Sequence, residues 1–386
     1  MKKILAILIA CSVVLLFCGA LAESTVYSAT EDDESAVEVS GIEQLTLSGV
    51  TVHKTGGNAS SADAASFRGV NSAIRVYDSA TLTISDSVIE ATAQNATGVF
   101  AYDHGKIYIS DCIVTVTGGG AGGVQVAGGG TLIGSNLTVT SASKAAIRSD
   151  RGGGIMILEG GTYISTGKNG CPAIYSTADI MVKNAVCVSE QSRAVIIEGK
   201  NTVTLENVIL EGNDQSTKEG SVRANVLLYQ SASGDASVGT SVFTMTGGEM
   251  TCHSGAMFYC TNTDSVINLN DAALNLSDDG TLLIVSAGRW GKDGRNGGDC
   301  VLNAQDQSLE GTITVDSISS LDISLSNSAY TGAINESGAA GEVAVTLDKN
   351  STWTLTGDSY ISALTGSLDQ IESNGYHLYV GGKTVL

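Results

Sequence analysis

Apolar residues occupy alternate positions in short runs along most of the chain, and these runs return at nearly constant spacing. In Thr81-Leu82-Thr83-Ile84 and Lys106-Ile107-Tyr108-Ile109 the apolar side chains would lie on one face of an extended strand. A small residue and a short apolar run precede each such strand, as in residues 98–101 and 173–176. No stretch shows helical periodicity, so the pattern predicts an all-β chain of short strands.

One residue at the end of each alternating strand marks a corner, and the corners give the length of the repeat. Their intervals are 25, 25, 24, 24 and 23 residues, and they fall at Asp86, Asp111, Asn136, Gly160, Asn184 and Asn207. A period this regular is typical of a solenoid, in which equivalent strands stack roughly 4.8 Å apart. We therefore predict a right-handed parallel β-helix with coils of about 23–25 residues.

The polar corner residues support a structural interpretation. Asn and Asp favour turns, and in register their side chains would form a ladder; the members are Asp86, Asp111, Asn136, Asn184 and Asn207. The alternative, a cation site at Asp86 and Asp111, has only two acids on adjacent coils to support it.

Breaks in the repeat suggest how the chain is organised. Residues 1–22 are typical of a signal peptide, with Lys2 and Lys3 before an apolar stretch and a small-x-small cleavage site before Glu23. Residues 23–39 are acidic and predict a disordered leader. Residues 40–386 then predict a single β-helix domain with insertions near 54–70, 213–222 and 288–299 and a C-terminal cap.

The net charge and the targeting signals limit which classes of partner and which cellular location we expect for the protein. The 386 residues include 40 acids and 20 Lys or Arg, a formal net charge of −20, which disfavours nucleic acid and anionic lipid as partners. The signal peptide at residues 1–22 predicts a secreted or cell-surface protein, and the mature chain is expected to have no transmembrane segment. Lipid anchoring at Cys18 is an alternative, although Phe17 is larger than the residue that usually precedes a lipidated cysteine.

The repeat pattern, and the run Trp353-Thr354-Leu355-Thr356-Gly357-Asp358 in particular, allows a family comparison. The chain resembles the pectin-lyase-like right-handed parallel β-helix superfamily, and its C-terminal half is similar to autotransporter-passenger and adhesin-like bacterial surface proteins. The resemblance implies an exported, non-catalytic adhesin-like protein that recognises carbohydrate or another host or cell-surface ligand. One alternative is a polysaccharide lyase or glycoside hydrolase on the same scaffold; another is a purely structural surface stalk.

Candidate chemistry is sparse in the sequence. The resemblance implies that a hydrolase of this superfamily would carry a cluster of three aspartates near a His-Gly pair. Asp103-His104-Gly105 contains a His-Gly pair but has no clustered aspartates at coil spacing, and Asp278-Asp279 is not followed by a His-Gly pair. The four histidines lie in different coils. We therefore predict no catalytic residues, no metal site and no cofactor.

Six cysteines follow the predicted signal peptide, namely Cys112, Cys171, Cys187, Cys252, Cys260 and Cys300. None forms a CxxC motif. Cys252 and Cys260 could close a short loop as a disulfide, and each cysteine could equally be a small buried hydrophobe. The sequence leaves both interpretations open.

The strongest candidate for ligand binding is the insertion near residues 288–299. It brings Trp290 together with three basic residues, Arg289, Lys292 and Arg295, in an acidic chain that is poor in aromatic residues. Tryptophan stacks on sugar rings or cations, and arginine binds carboxylates in a forked geometry. The alternative is a long turn whose tryptophan covers the flank of the solenoid.

Overall fold

The computed structural model describes residues 25–168, 170–218, 220–338 and 341–386. These residues form a right-handed parallel β-helix with 51% strand and 3% helix, so the predicted fold class is confirmed. The predicted signal peptide, residues 1–22, lies outside the described residues. No helix in the described part of the chain is long and apolar enough to cross a membrane.

Each coil before the C-terminal ones contributes one strand to each of three parallel sheets, which we name I, II and III. Sheet I contains Val26–Ala29, Thr51–Lys54, Val88–Ala91, Ile113–Val116, Thr138–Ser141, Thr162–Lys168, Val186–Gln191, Ile209–Gly212, Glu249–Cys252 and Ala273–Asn275. Sheet II contains Val37–Val39, Ile74–Val76, Val99–Ala101, Val124–Val126, Ile147–Ser149, Ile174–Ser176, Val195–Glu198, Ala224–Tyr229, Ala256–Thr261, Thr281–Val285 and Thr312–Val315. Sheet III contains Gln44–Ser48, Thr81–Ser85, Lys106–Ser110, Gly130–Ser135, Gly154–Glu159, Asp179–Lys183, Thr202–Glu206, Ser241–Thr246, Asp264–Asn270, Asp299–Gln305, Ser320–Ser326, Glu342–Leu347 and Ala363–Thr365.

The chain runs through each coil in the order sheet II, sheet III, corner, sheet I. Sheet II is the short apolar run that opens each repeat in the sequence. In most coils the corner is a single residue with positive φ, for example 53° at Asp111 and 49° at Asn184, and at residues 160–161 and 247–248 it is a pair of glycines with positive φ. Only Gly, Asn and Asp adopt this conformation readily, which explains why these residues recur at the corners.

The core lies inside the stack of coils. Leu82, Ile107, Leu132, Met156 and Ile180 hold equivalent inward positions on successive strands of sheet III, and at most 1% of each is exposed. Alternate residues of the same strands face outward. The period-2 pattern of the sequence therefore sorts the side chains of sheet III between core and surface.

The acidic segment at residues 23–39 is not a disordered leader in its described part, and this prediction is corrected. Val26–Ala29 pairs with Thr51–Lys54 in sheet I, and Val37–Val39 pairs with Ile74–Val76 in sheet II. The acids between these strands have local partners: Asp32 accepts from the backbone N–H of Asn58 at 2.8 Å, and Lys54 donates to the carbonyl of Glu31 at 2.6 Å.

The insertion near residues 54–70 forms a short helix, Ala62–Arg68, against the outer face of sheet II. Ser61 caps its N-terminus by accepting from the N–H of Ala64 at 3.0 Å. Gln125, on the sheet, donates to the carbonyl of Ser66 at 2.8 Å. Insertions therefore cover part of sheet II from outside, a feature that recurs further along the stack.

The C-terminal coils use two smaller sheets. A four-stranded sheet contains Ser308–Glu310, Ala329–Thr331, Thr352–Thr354 and Ile371–Glu372, and a three-stranded sheet contains Ser359–Ile361, Leu378–Val380 and Lys383–Thr384. A 3-10 helix spans Leu368–Gln370. The last strand pairs antiparallel with Leu378–Val380, which gives this sheet a reversed strand at its end.

Candidate functional site

The loop at residues 288–299 lies against the outer face of sheet II and carries the tryptophan that the sequence singles out. Asn296 is 2% exposed and donates to the carbonyls of Gly288 at 2.7 Å and Trp290 at 2.9 Å, which holds the loop in one shape. The half-buried Trp290 ring lies 4.6 Å from the ring of Tyr229, centroid to centroid, with the planes tilted by 50°. Arg289 places its guanidinium 4.5 Å from the centroid of the Trp290 ring, within the range of a cation–π contact.

A buried carboxylate fixes the tyrosines beside this loop. Glu198 is 1% exposed, and it accepts hydrogen bonds from the hydroxyls of Tyr175 at 2.5 Å and Tyr229 at 2.8 Å. The hydroxyl of Ser231 also donates to it. Charge-assisted hydrogen bonds are stronger than neutral ones, so Glu198 restrains both phenol rings.

The same burial determines the protonation of these phenols. Burial raises the pKa of Tyr175 well above its ordinary value, and the neighbouring Tyr229 and Glu198 raise it further. Burial, followed by the charge of Glu198, also raises the pKa of Tyr229. Both hydroxyls are therefore protonated at neutral pH and act as donors to Glu198.

A buried arginine lies on the other side of the tyrosines. Arg193 is 7% exposed; its Nη2 donates to the carbonyl of Val222 at 2.7 Å and lies 3.1 Å from Oδ2 of Asp214. Within the described residues its Nε has no hydrogen-bond partner. Burial lowers the pKa of Arg193, Asp214 opposes this shift, and the like charge of Arg289 adds to it.

Asp214 also anchors the hydrophilic insertion near residues 213–222. It is 1% exposed and accepts from the N–H groups of Ser216 at 2.9 Å and Ala224 at 3.3 Å. The loop therefore folds back towards sheet II, and its described residues Ser216, Thr217, Lys218 and Ser221 line the same cleft as the tyrosines.

Together these elements enclose a cleft of about 400 Å³. Its lining consists of Gly170, Tyr175, Arg193, Ile196, Ser216, Thr217, Lys218, Ser221, Leu227, Tyr229, Arg289 and Trp290. Arg193, Lys218 and Arg289 supply positive charge, and none of the described lining residues is acidic, although acids outnumber Lys and Arg by 40 to 20 in the chain. Arg193 is paired with the buried Asp214. The described lining thus combines aromatic rings with cationic side chains on an acidic protein.

The structure separates the four residues predicted to bind ligand. Arg289 and Trp290 line the cleft, whereas Lys292 is exposed outside it. Arg295 borders a neighbouring depression that also contains Asp264 and Asp299. The Trp290 ring packs on the flank of the solenoid against Tyr229 and also lines the cleft, so its role in ligand binding stays a prediction.

Sequence reasoning missed Tyr175, Arg193, Glu198 and Tyr229. The strand register places one row of outward-facing residues along sheet II: Phe100, Gln125, Arg148, Tyr175, Ile196, Leu227, Tyr259 and Ile284. In Ala224–Tyr229 and Ala256–Thr261 every residue is buried, so both faces of these strands are covered. The signal for this covered face is the consecutive apolar residues 226–229 and 256–260, which replace strict alternation.

The corner residues lie on a different surface. Asn136 donates to Asp111 at 3.2 Å, and Asn207 donates to Asn184 at 3.4 Å. Between these pairs Gly160 has no side chain, and Asn184 donates to Glu159 instead, at 2.5 Å. Asp86 accepts from the hydroxyl of Ser48 at 3.3 Å. These contacts connect neighbouring coils at the surface.

The remaining chemical candidates are dispersed. His104 is exposed in a turn with φ of 59°, and Asp279 accepts from the N–H of Gly255 at 3.2 Å. Across the described ranges no group of three or more His, Cys, Asp or Glu side chains is arranged to hold a metal ion.

Comparisons with known proteins add no further assignment: no family model matches the chain, and no curated protein is significantly similar to it. The geometry of the cleft is therefore the main basis for a functional proposal.

Proposed function

We propose that this protein is an exported, adhesin-like β-helix protein that binds a saccharide carrying a negative charge in the cleft between residues 213–222 and the loop at 288–299. The observation that carries the proposal is the Tyr229–Trp290 pair, with ring centroids 4.6 Å apart, in a lining whose described residues include no carboxylate. These residues do include Lys218, Arg289 and the Asp214-paired Arg193. Aromatic faces pack on the C–H faces of sugar rings, and guanidinium groups bind carboxylates.

The polar groups in the cleft lining favour a saccharide over a purely apolar ligand. Ser216, Thr217 and Ser221 add polar groups to the same lining as the rings. Small-ligand sites commonly combine apolar walls with a few polar groups that set orientation. A ring of the ligand would contact Trp290 while its hydroxyls face the insertion near residues 213–222.

Export is the second component of the proposal. It rests on the lysines, apolar stretch and cleavage site of residues 1–22, and the likeness to pectin-lyase-like and bacterial adhesin-like proteins is compatible with it. Expression of the full chain in a bacterial host, followed by N-terminal sequencing of the exported protein, should give a first residue at Glu23. A cytoplasmic product that retains residues 1–22 would contradict export and would leave the binding proposal intact.

Binding is tested with the chain from residue 23 onward, which contains every described residue. We expect an oligosaccharide of uronic acids to bind, and the same oligosaccharide with its carboxyls reduced to alcohols to bind at least about tenfold more weakly. Isothermal titration measures both affinities. Assay of new reducing ends in the same samples distinguishes binding from cleavage, and their appearance would favour the lyase or hydrolase alternative.

The matched variants are Trp290→Ala and Tyr108→Ala. Trp290→Ala should weaken binding at least about tenfold, because it removes the ring that forms one wall of the cleft. Tyr108 is 42% exposed on the outer face of sheet III, away from the cleft lining, so Tyr108→Ala should bind as the parent does. Equal affinity of the parent and Trp290→Ala would exclude the cleft as the binding site.

A further inference from the structure

Two of the six described cysteines lie against each other inside the β-helix. The sulfur atoms of Cys260 and Cys300 are 3.6 Å apart, and the residues are 0% and 3% exposed. Cys260 belongs to Ala256–Thr261 of sheet II, and Cys300 to Asp299–Gln305 of sheet III in the following coil. The pair therefore spans two consecutive coils.

The other four described cysteines have different surroundings. The thiols of Cys112, Cys171 and Cys252 lie near backbone carbonyls, for example Ser110 at 3.1 Å from Cys112 and Ser143 at 2.7 Å from Cys171. Cys187 is a fully buried member of the hydrophobic core. In particular, Cys252 points to the carbonyls of residues 254–256 and not to Cys260, so the structure does not favour the Cys252–Cys260 pairing considered from sequence.

We propose that Cys260 and Cys300 form a disulfide when the chain folds in an oxidising compartment. A thiolate of one residue attacks a disulfide-containing oxidant, giving a mixed disulfide and releasing one thiol of the oxidant. The second cysteine, as thiolate, then attacks its partner's sulfur and releases the other. The pair loses two electrons and two protons, one Sγ–Sγ bond forms, and the oxidant disulfide is reduced to two thiols.

The position of the bridge gives it a consequence for the cleft. The segment between the two cysteines includes the loop at residues 288–299 with Arg289 and Trp290. A covalent link at its two ends would restrict the unfolded chain and hold the base of this loop in the coil stack. The bridge would thus stabilise the element that supplies one wall of the cleft, whatever ligand that cleft takes.

The timing of the bond follows from burial. Burial raises the pKa of Cys260 well above its ordinary value, and the neighbouring Cys300 adds to the shift. Because the thiolate is the reactive form, the folded and reduced protein should exchange slowly with external disulfides. The bond should form before the following coil closes over the pair, and once formed it should resist reductants under native conditions.

The test is refolding of the chain from residue 23 onward in a buffer of oxidised and reduced glutathione, followed by peptide mapping without reduction. We expect one crosslinked peptide pair containing Cys260 and Cys300 and four free thiols. Adding a phosphine reductant under mildly denaturing conditions should remove the crosslink and lower the melting temperature by a few degrees. Recovery of six free thiols, or a dominant pairing of other cysteines, would overturn the proposal.

Variants provide a control that does not depend on mapping. Cys300→Ala should abolish the difference in melting temperature between protein refolded with and without oxidant, whereas Cys187→Ala should preserve it. Both substitutions remove a buried thiol from the interior, so a general loss of stability affects both variants. A redox-dependent shift that survives in Cys300→Ala would show that the bridge lies elsewhere.

Discussion

Glu198 is a carboxylate with almost no access to solvent, and hydroxyl groups surround it. Tyr175, Tyr229, Ser231 and Ser233 all donate to its two oxygens. A buried charge is tolerated only when its hydrogen-bonding capacity is used, and here four donors use it. At the scale of single residues, Glu198 therefore links Tyr175 and Tyr229 on the covered outer face of sheet II.

This arrangement predicts a large effect of Glu198→Ala and a smaller one of Glu198→Gln. Alanine leaves the two tyrosine hydroxyls without their acceptor and should lower the free energy of unfolding by about 2–4 kcal/mol. Glutamine keeps one acceptor oxygen and should lower the free energy of unfolding by about half as much as alanine does. Urea denaturation measures both values.

The control for this prediction is Glu206→Ala. Glu206 is a surface residue whose side chain is 40% exposed and lies 2.8 Å from Lys183, and such surface pairs contribute roughly 0–1 kcal/mol. If Glu198→Ala and Glu206→Ala had the same small effect, the hydroxyls would have found other acceptors and the restraint on the tyrosine rings would be absent.

At the scale of the element, the corner between sheets III and I explains why the fold could be predicted from sequence. A one-residue corner with positive φ must be Gly, Asn or Asp in almost every coil, so the sequence records the coil boundary directly. The alternation of each strand then records which face is buried. Both signals are local, and local signals are what sequence patterns report.

The cleft could be predicted only in part, because its residues come from different coils. Trp290 and Arg289 stood out as an aromatic and basic insertion, but Tyr175, Arg193 and Tyr229 meet them only through the stacking of sheet II. The acidic segment near residues 23–39 was misread for a related reason. Its composition favours disorder, whereas its order depends on partners distant in sequence, such as Thr51–Lys54 and the N–H of Asn58, which donates to Asp32.

The corner predicts a difference between two substitutions at Asn207, whose φ is 52°. Asn207→Val forces a β-branched side chain into the left-handed region and should lower the free energy of unfolding by at least about 2 kcal/mol. Asn207→Gly loses only the contact with Asn184, at 3.4 Å, and should cost less than about 1 kcal/mol. Denaturation in urea gives both values.

Thr204→Val is the matched control for the corner. Thr204 lies in the preceding strand, Thr202–Glu206, with normal strand geometry and a half-buried side chain, so the same β-branched residue should be tolerated there. If Asn207→Val lowered the free energy of unfolding no more than Thr204→Val does, the corner would be able to adopt another conformation.

At the scale of the whole molecule, each coil contacts mainly the coils before and after it, as the unbroken strand orders of the three long sheets indicate. In such a stack, stability is close to a sum of terms for single coils and for neighbouring pairs of coils. Apolar residues occupy the equivalent inward position on successive strands of sheet III. Two coils that are separated by one coil could therefore stack directly on each other if that coil were removed. The architecture should therefore tolerate the loss of a complete coil.

We predict that deletion of residues 137–160, one full coil between the corners Asn136 and Gly160, yields a folded protein. The deletion removes Arg148 together with its buried partner Asp150, 2.6 Å away, so no unpaired charge remains from that pair, and it leaves every residue of the cleft lining in place. The circular dichroism spectrum of the variant should remain that of a β-sheet protein, its melting temperature should be lower by several degrees, and its saccharide affinity should stay within about threefold of the parent.

The control is deletion of residues 149–160 alone. This deletion removes half a coil and breaks the register of all three sheets, so that variant should aggregate. If both deletions folded equally well, or if the full-coil deletion failed to fold, the coils would not be the interchangeable units that the spacing of the corners implies.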